Sequence, residues 1–154
     1  MGELSWNALK QFVYECARGC CEYCQTCEAN SGQTMQIDHI DLQGGDGVEN
    51  LCLSCWNCNS SKHKATMVPD PETGEQVPLF NPRTQVWSEH FVWMDGGIRV
   101  RGLSAEGRAT VARLKMNRPA IVIARLGHCC AWSPPGVPPQ GVLSSGAKAW
   151  STGR

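Results

Sequence analysis

The apolar positions of this chain fall in short runs broken by turn residues, with few long periodic stretches. Trp6, Leu9, Val13 and Cys16 recur near one face of a helix that Ser5 can cap and Gly19 can end, so the first segment reads as a packing helix. From Cys20 to Lys64 the runs are short and glycines recur at 32, 44, 45 and 47, as expected of hairpins and loops organised by a metal. Asn57 to about Met67 can form a helix that stops before Pro69 and Pro71. Residues 69–84 hold four prolines and read as an extended connection over the surface. Val86 to Met94 and Ile98 to Leu103 are strand-like runs flanking Asp95, Gly96 and Gly97, a hairpin turn. Ser104 suits a cap for a helix from Ala105 to Met116 that Pro119 ends, and the apolar run from Ala120 to Leu126 fits helix or strand. Beyond Pro135 the composition falls to Gly, Pro, Ser and Ala, which bury too little apolar surface to offset ordering entropy, so a floppy tail is expected.

Composition changes this picture in two ways. Ten cysteines stand in 154 residues. No run approaches the roughly 20 apolar residues that span a bilayer, and the first residues lack a basic start with an apolar run behind it. A soluble protein of the reducing cytosol is the expectation, where cysteines serve metals more often than disulfides. The zero net charge also hides a split: residues 1–78 hold 4 Lys/Arg against 11 Asp/Glu, and residues 79–154 hold 10 against 3. A basic half suits a polyanion partner, and equally a set of salt bridges to the acidic half.

Two knuckles, CEYC at 21–24 and CWNC at 55–58, offer four thiolates for a structural zinc site. Cys27 and Cys52 repeat the same spacing, so the register is not unique; Cys21, Cys24, Cys55 and Cys58 leave Asn59 directly after the last ligand and are favoured. The spare cysteines then read as buried small hydrophobes. A ferredoxin run would need a further cysteine where Ser31 and Lys62 stand. A rubredoxin-like single iron fits the spacing but leaves the residues between the knuckles without a task.

Those residues are Gln36-Ile37-Asp38-His39-Ile40, a Gly-rich loop, Asn50-Leu51-Cys52-Leu53 and, after the second knuckle, Asn59-Ser60-Ser61-Lys62. In order and spacing, residues 21–64 resemble the HNH endonucleases of the ββα-metal superfamily. The resemblance implies a metal-dependent nuclease in which His39 deprotonates water and Asp38 and Asn59 hold a Mg²⁺ or Mn²⁺ ion, while Asn50 braces the loop that orients the histidine. Asn59 stands where the family often has histidine, and Asp41 and Leu42 stand where it often has proline. His63, four residues beyond Asn59, could touch the metal or a phosphate, or be a solvated helix histidine. Lys62 and Lys64 are candidate phosphate contacts. His90, among Trp87, Phe91 and Trp93, reads as packing.

The segment from Leu79 to Trp93 and the stretch from Gly107 to Pro119 resemble an extension carried by small bacterial HNH proteins. Its Arg83, Arg99, Arg101, Arg108, Arg113, Lys115 and Arg118 could form a DNA-gripping wall, with Arg108, Arg113 and Lys115 the leading contacts, or bridge to the acidic half. The expected fold is α+β: a zinc-stapled ββα core with its N-terminal helix over residues 1–68, a hairpin-plus-helix extension over 69–135 and a disordered tail over 136–154. The expected partner is DNA, with no membrane and with the oligomeric state, including a homodimer, left open. The competing reading is a zinc-organised nucleic-acid binding module without catalysis.

Overall fold

A computed structural model describes residues 5–126. Residues 127–135 of the extension and the tail expected from residue 136 lie outside that range. Helix α1, Trp6–Cys16, starts where Ser5 Oγ accepts from the Ala8 amide at 3.3 Å. Its packing stripe is narrower than expected. Val13 is buried, whereas Trp6, Phe12, Tyr14 and Cys16 are exposed, because α1 packs on one short strand rather than into a broad core.

A short helix α2, Glu28–Ser31, follows the first knuckle. Strands β1, Gln36–His39, and β2, Leu51–Ser54, then pair antiparallel, with Asp38 opposite Cys52 and His39 opposite Leu51. A single 3-10 turn, Val48–Asn50, leads into β2, and helix α3, Trp56–Lys62, leaves it after Cys55 and packs on β1. The helix ends earlier than expected, at His63, whose φ of 53° breaks the helical path. The chain from 36 to 62 is thus a β-β-α unit with the second knuckle at the helix root.

The expected surface connection is instead a second hairpin, β3, Met67–Pro69, paired with β4, Gln76–Pro78. Its prolines are tolerated because a two-stranded ribbon consists of edges. Asp70 organises the turn, accepting from the Glu72 amide and the Thr73 hydroxyl, both at 3.2 Å. The run expected as one strand from Val86 opens with a helical turn, α4, Trp87–His90, before β5, Phe91–Met94, pairs with β6, Arg99–Gly102. Tertiary contact overrides strand propensity there: the turn lets Trp87 donate to the Tyr23 carbonyl at 2.8 Å and lie on Phe91 and Trp93. Helix α5, Ala105–Arg113, is capped by Ser104 as expected. It lies so close to its neighbours that a Cβ at Gly107 would meet the His90 carbonyl oxygen at 2.1 Å. Pro119 opens α6, Pro119–Leu126, where its fixed φ is already helical. The ambiguous apolar run is therefore helix.

One buried cluster joins the two halves, with Val13, Tyr23, Leu51 and Leu53 from the first and Phe80, Phe91, Val100, Leu114 and Met116 from the second. Among the described residues no helix is long and apolar enough to cross a membrane.

Candidate functional site

The sulfurs of Cys21, Cys24, Cys55 and Cys58 all lie within 4.8 Å of one another, and all four residues are buried. Sulfurs about 2.3 Å from a tetrahedral zinc would be about 3.8 Å apart, and Cys24 Sγ and Cys55 Sγ are separated by 3.8 Å. Burial pushes the Cys21 thiol well above its ordinary range, while hydrogen bonds from its neighbours, Cys21 first, hold Cys24 well below its own. Four soft donors converging on one small volume can hold a metal such as zinc. The ambiguous register is thereby resolved. Cys52 lies apart, buried against the Tyr23 hydroxyl at 3.5 Å. Cys20 and Cys27 are not spare buried thiols but a half-buried disulfide across an isolated β-bridge, because the two ends of the first knuckle meet there. Cys16 is exposed.

His39 ends β1, and its Nε2 lies 2.7 Å from Asp46 Oδ1. A carboxylate can only accept, so Nε2 is the ring nitrogen that donates in this bond. The Trp6 ring stacks on the imidazole, 6.3 Å between centroids and 11° from parallel. Asn50 ties down the intervening loop: its Oδ1 accepts from the Asp41 amide at 2.9 Å, and its Nδ2 donates to the Asp41 and Gly45 carbonyls at 2.7 Å. Gly44 is needed beside it, since a Cβ there would sit 2.7 Å from the Asn50 amide group.

Asp38 points the other way, as strand alternation requires. It is buried, with Lys62 Nζ 3.3 Å from Oδ2 and donating to the His39 carbonyl at 2.7 Å. Oδ2 has that ion pair but no hydrogen bond. Burial raises the Asp38 carboxyl above its ordinary value, with Lys62 opposing the rise. Lys62, expected at a phosphate, is therefore an interior brace, only 2% exposed. Asn59 is half-buried and donates to Gln36 Oε1 at 2.7 Å, and it lines a groove of about 330 Å³ with Trp56, His63 and Lys64. Asp46, Trp6 and Gln36 were missed from sequence: an aspartate among glycines reads as a turn former, and a helix-start tryptophan reads as packing.

The basic half reaches inward at five places. Arg83 forms a fork with Glu22, 2.9 Å from Nη2 to Oε2, and Arg108 a fork with Asp70 at 2.6 and 3.0 Å. Hydrogen bonding to Arg108 lowers the Asp70 carboxyl to about 2. Arg118 donates to Asn57 Oδ1 and Arg113 to the Lys62 carbonyl at 3.4 Å. Arg125 is buried, donates to the Cys24 and Ile98 carbonyls at 2.9 Å and lies 5.2 Å from the Trp93 ring centre. For Arg83 and Arg108 the salt-bridge alternative to a DNA wall is the one observed. Arg101 and Lys115 have no side-chain partner among the described residues. His90 packs on Phe80 and hydrogen-bonds Ser104.

No family model matches the chain, and no solved structure matches it. The chain is similar to the Septu protein PtuB of Bacillus mycoides (strain KBAB4), 28% identical over 60% of this chain and 40% of that protein. The chain thus spans less than half the length of the relative it matches.

Proposed function

We propose that the chain is an HNH-type endonuclease that hydrolyses DNA phosphodiester bonds, with His39 as general base and a divalent ion as cofactor. The observation that carries this reading is the imidazole at the end of β1, held by Asp46 at Nε2, which leaves Nδ1 as the ring atom that would take the proton from water in the neutral form. Asn50 supports that geometry by bonding the loop that bears Asp46. The four-cysteine cluster supports it from below, since a metal there would fix the root of α3 relative to the hairpin.

Mg²⁺ or Mn²⁺ is what the resemblance implies, and such an ion would offset charge on the scissile phosphate. Its expected ligand Asp38 does not fit that task as arranged. An ammonium 3.3 Å from the carboxylate opposes a divalent cation at the same oxygens. Asn59 and His63 are the side chains in the groove that could offer such an ion donor atoms.

The Asp38–Lys62 pair is also the one observation that favours a second reading, a zinc-organised nucleic-acid binding module without catalysis. Incubation of the zinc-loaded protein with supercoiled plasmid in Mg²⁺ or Mn²⁺ separates the two. The nuclease reading expects nicked or linear product that His39→Ala abolishes without changing the melting temperature. Binding without cleavage in either metal would leave the second reading standing.

A further inference from the structure

The groove beside Asn59 and a second one along α1 meet at Gln36, which lines both. The second encloses about 630 Å³ between α1 and the hairpin, with Trp6, Lys10, Tyr14, Met35 and Ile37 among its walls. Each volume falls within the rough range of small-ligand sites, 300–1,000 Å³. The path carries exposed aromatic faces at both ends. Trp56 is 55% exposed at the α3 end and Trp6 44% at the α1 end. Exposed rings in a cleft are surfaces on which a base can stack. Trp6 is moreover stacked on His39, so a flat group lying on its outer face would sit one ring from the imidazole.

Charge decides what that group is. The face belongs to the acidic half, and the path offers two cations, Lys10 and Lys64. The arginines that could have gripped a duplex by its phosphates are mostly committed to interior partners. A surface with few cations cannot draw its affinity from phosphates. It can draw it from unpaired bases, whose π faces stack on aromatic side chains while a few cations follow the backbone. A paired base offers no such face.

We infer that the Trp6–Gln36–Trp56 path is a binding groove for single-stranded nucleic acid, with one base on Trp6 beside His39 and another on Trp56, flanked by Lys10 and Lys64. This rests on the reading of His39 as a nuclease base, and it narrows the substrate of that site to unpaired segments.

The test measures binding apart from cutting. Zinc-loaded His39→Ala protein is titrated by fluorescence anisotropy against a labelled 15-nucleotide single-stranded DNA, the same sequence as RNA, and the DNA duplex. The expected result is tighter binding to single strands than to duplex, with quenching of tryptophan emission. Trp56→Ala should weaken the single-strand complex about 5- to 150-fold, the loss of one stacked base, with zinc content and melting temperature unchanged. Trp6→Ala should act alike, and because Trp56 is the more exposed ring, its variant decides should Trp6→Ala unfold. Equal loss on DNA and RNA assigns the groove to unpaired bases whatever the sugar, and loss on one alone assigns the sugar. Equal affinity for duplex and single strand, or a Trp56→Ala variant with unaltered binding, overturns the inference. The nuclease reading fails separately: a protein that binds single strands but never cuts keeps the groove, and one that cuts duplex plasmid with Trp56→Ala unaffected keeps the nuclease.

Discussion

Lys62→Met distinguishes an interior brace from a phosphate contact. The side chains of Lys62 and Asp38 are 3% and 7% exposed, and the ammonium also carries the His39 carbonyl at 2.7 Å. Methionine fills the same volume but leaves a buried carboxylate without its counter-charge and a carbonyl without its donor. Removing one partner of a buried pair costs about 3–5 kcal/mol, or roughly 6–20 °C in melting temperature for a chain of this size. Most of that cost is the stranded charge, so Asp38→Asn/Lys62→Met should regain more than half of it, giving a coupling well above the roughly 0.5 kcal/mol expected of independent sites. The assay is denaturant unfolding followed by circular dichroism on the wild type, both single variants and the double. Salt dependence of DNA binding, measured in parallel, should keep its slope. A Lys62→Met protein of wild-type stability whose slope of log K against log salt falls by about 1 would refute the reasoning and return Lys62 to the phosphate.

Chelation or Cys58→Ser should abolish cooperative unfolding, because structural zinc contributes on the order of 10 kcal/mol to folding; an unchanged melt after metal removal would exclude a structural metal. Arg125→Met strands the Cys24 and Ile98 carbonyls and should cost about 3 kcal/mol in denaturant unfolding, whereas a loss below about 0.5 kcal/mol, the ordinary surface range, would count against the brace. Asp46→Asn should slow cleavage about 10- to 100-fold, the usual effect of losing a ring-orienting partner, with stability unchanged because Asp46 is exposed; full activity would show that Nε2 needs no carboxylate. Burial pushes the Cys52 thiol up to about 12. A folded pKa above the unfolded value of about 8.5 contributes stability that is complete below that value and is lost as pH rises toward 12. The stability difference between wild type and Cys52→Ala should therefore narrow by about 1.4 kcal/mol per pH unit above that point, and a difference constant from pH 8 to 10.5 would contradict it.

The sequence was legible where residues are fixed by local chemistry. Ser5 and Ser104 cap helices because a hydroxyl before an orphan amide does the same work in any context. The four cysteines were legible as a set because thiolate spacing is a local constraint, and the register favoured from the position of Asn59 is the one that the geometry brings together, with Cys52 sent to Tyr23 and Cys20 closed on Cys27. What failed depended on partners far along the chain. Trp87 leaves the strand pattern to reach Tyr23, and residues 69–84 fold back because Asp70 can hold a turn that Arg108, 38 positions on, then seals. At the candidate site the residue types near His39 are visible in the sequence, whereas the burial of Asp38 on Lys62 depends on the alternation of β1, whose period of two puts neighbours on opposite faces, and on a lysine 24 positions on.

The arginine braces of the second half share an address that gives the charge split a physical meaning. Arg83 binds Glu22, inside the first knuckle; Arg125 binds the carbonyl of Cys24, the second cysteine of that knuckle; Arg118 binds Asn57, inside the second. A four-thiolate zinc centre carries two net negative charges, and knuckle loops turn so tightly that their polar groups find few partners within the loop. Guanidinium forks meet both needs, because they donate in several directions at once and stay charged when buried. The basic half is therefore bound to the first half at the four-cysteine cluster, and the two supports cannot be independent: loosening the knuckles would free the arginines, and removing an arginine would loosen a knuckle. Energies of such shared sites are not additive. Among the described residues, therefore, part of the positive half is turned inward, Arg83 and Arg108 onto carboxylates of the first half and Arg118 and Arg125 onto its amide and carbonyl oxygens.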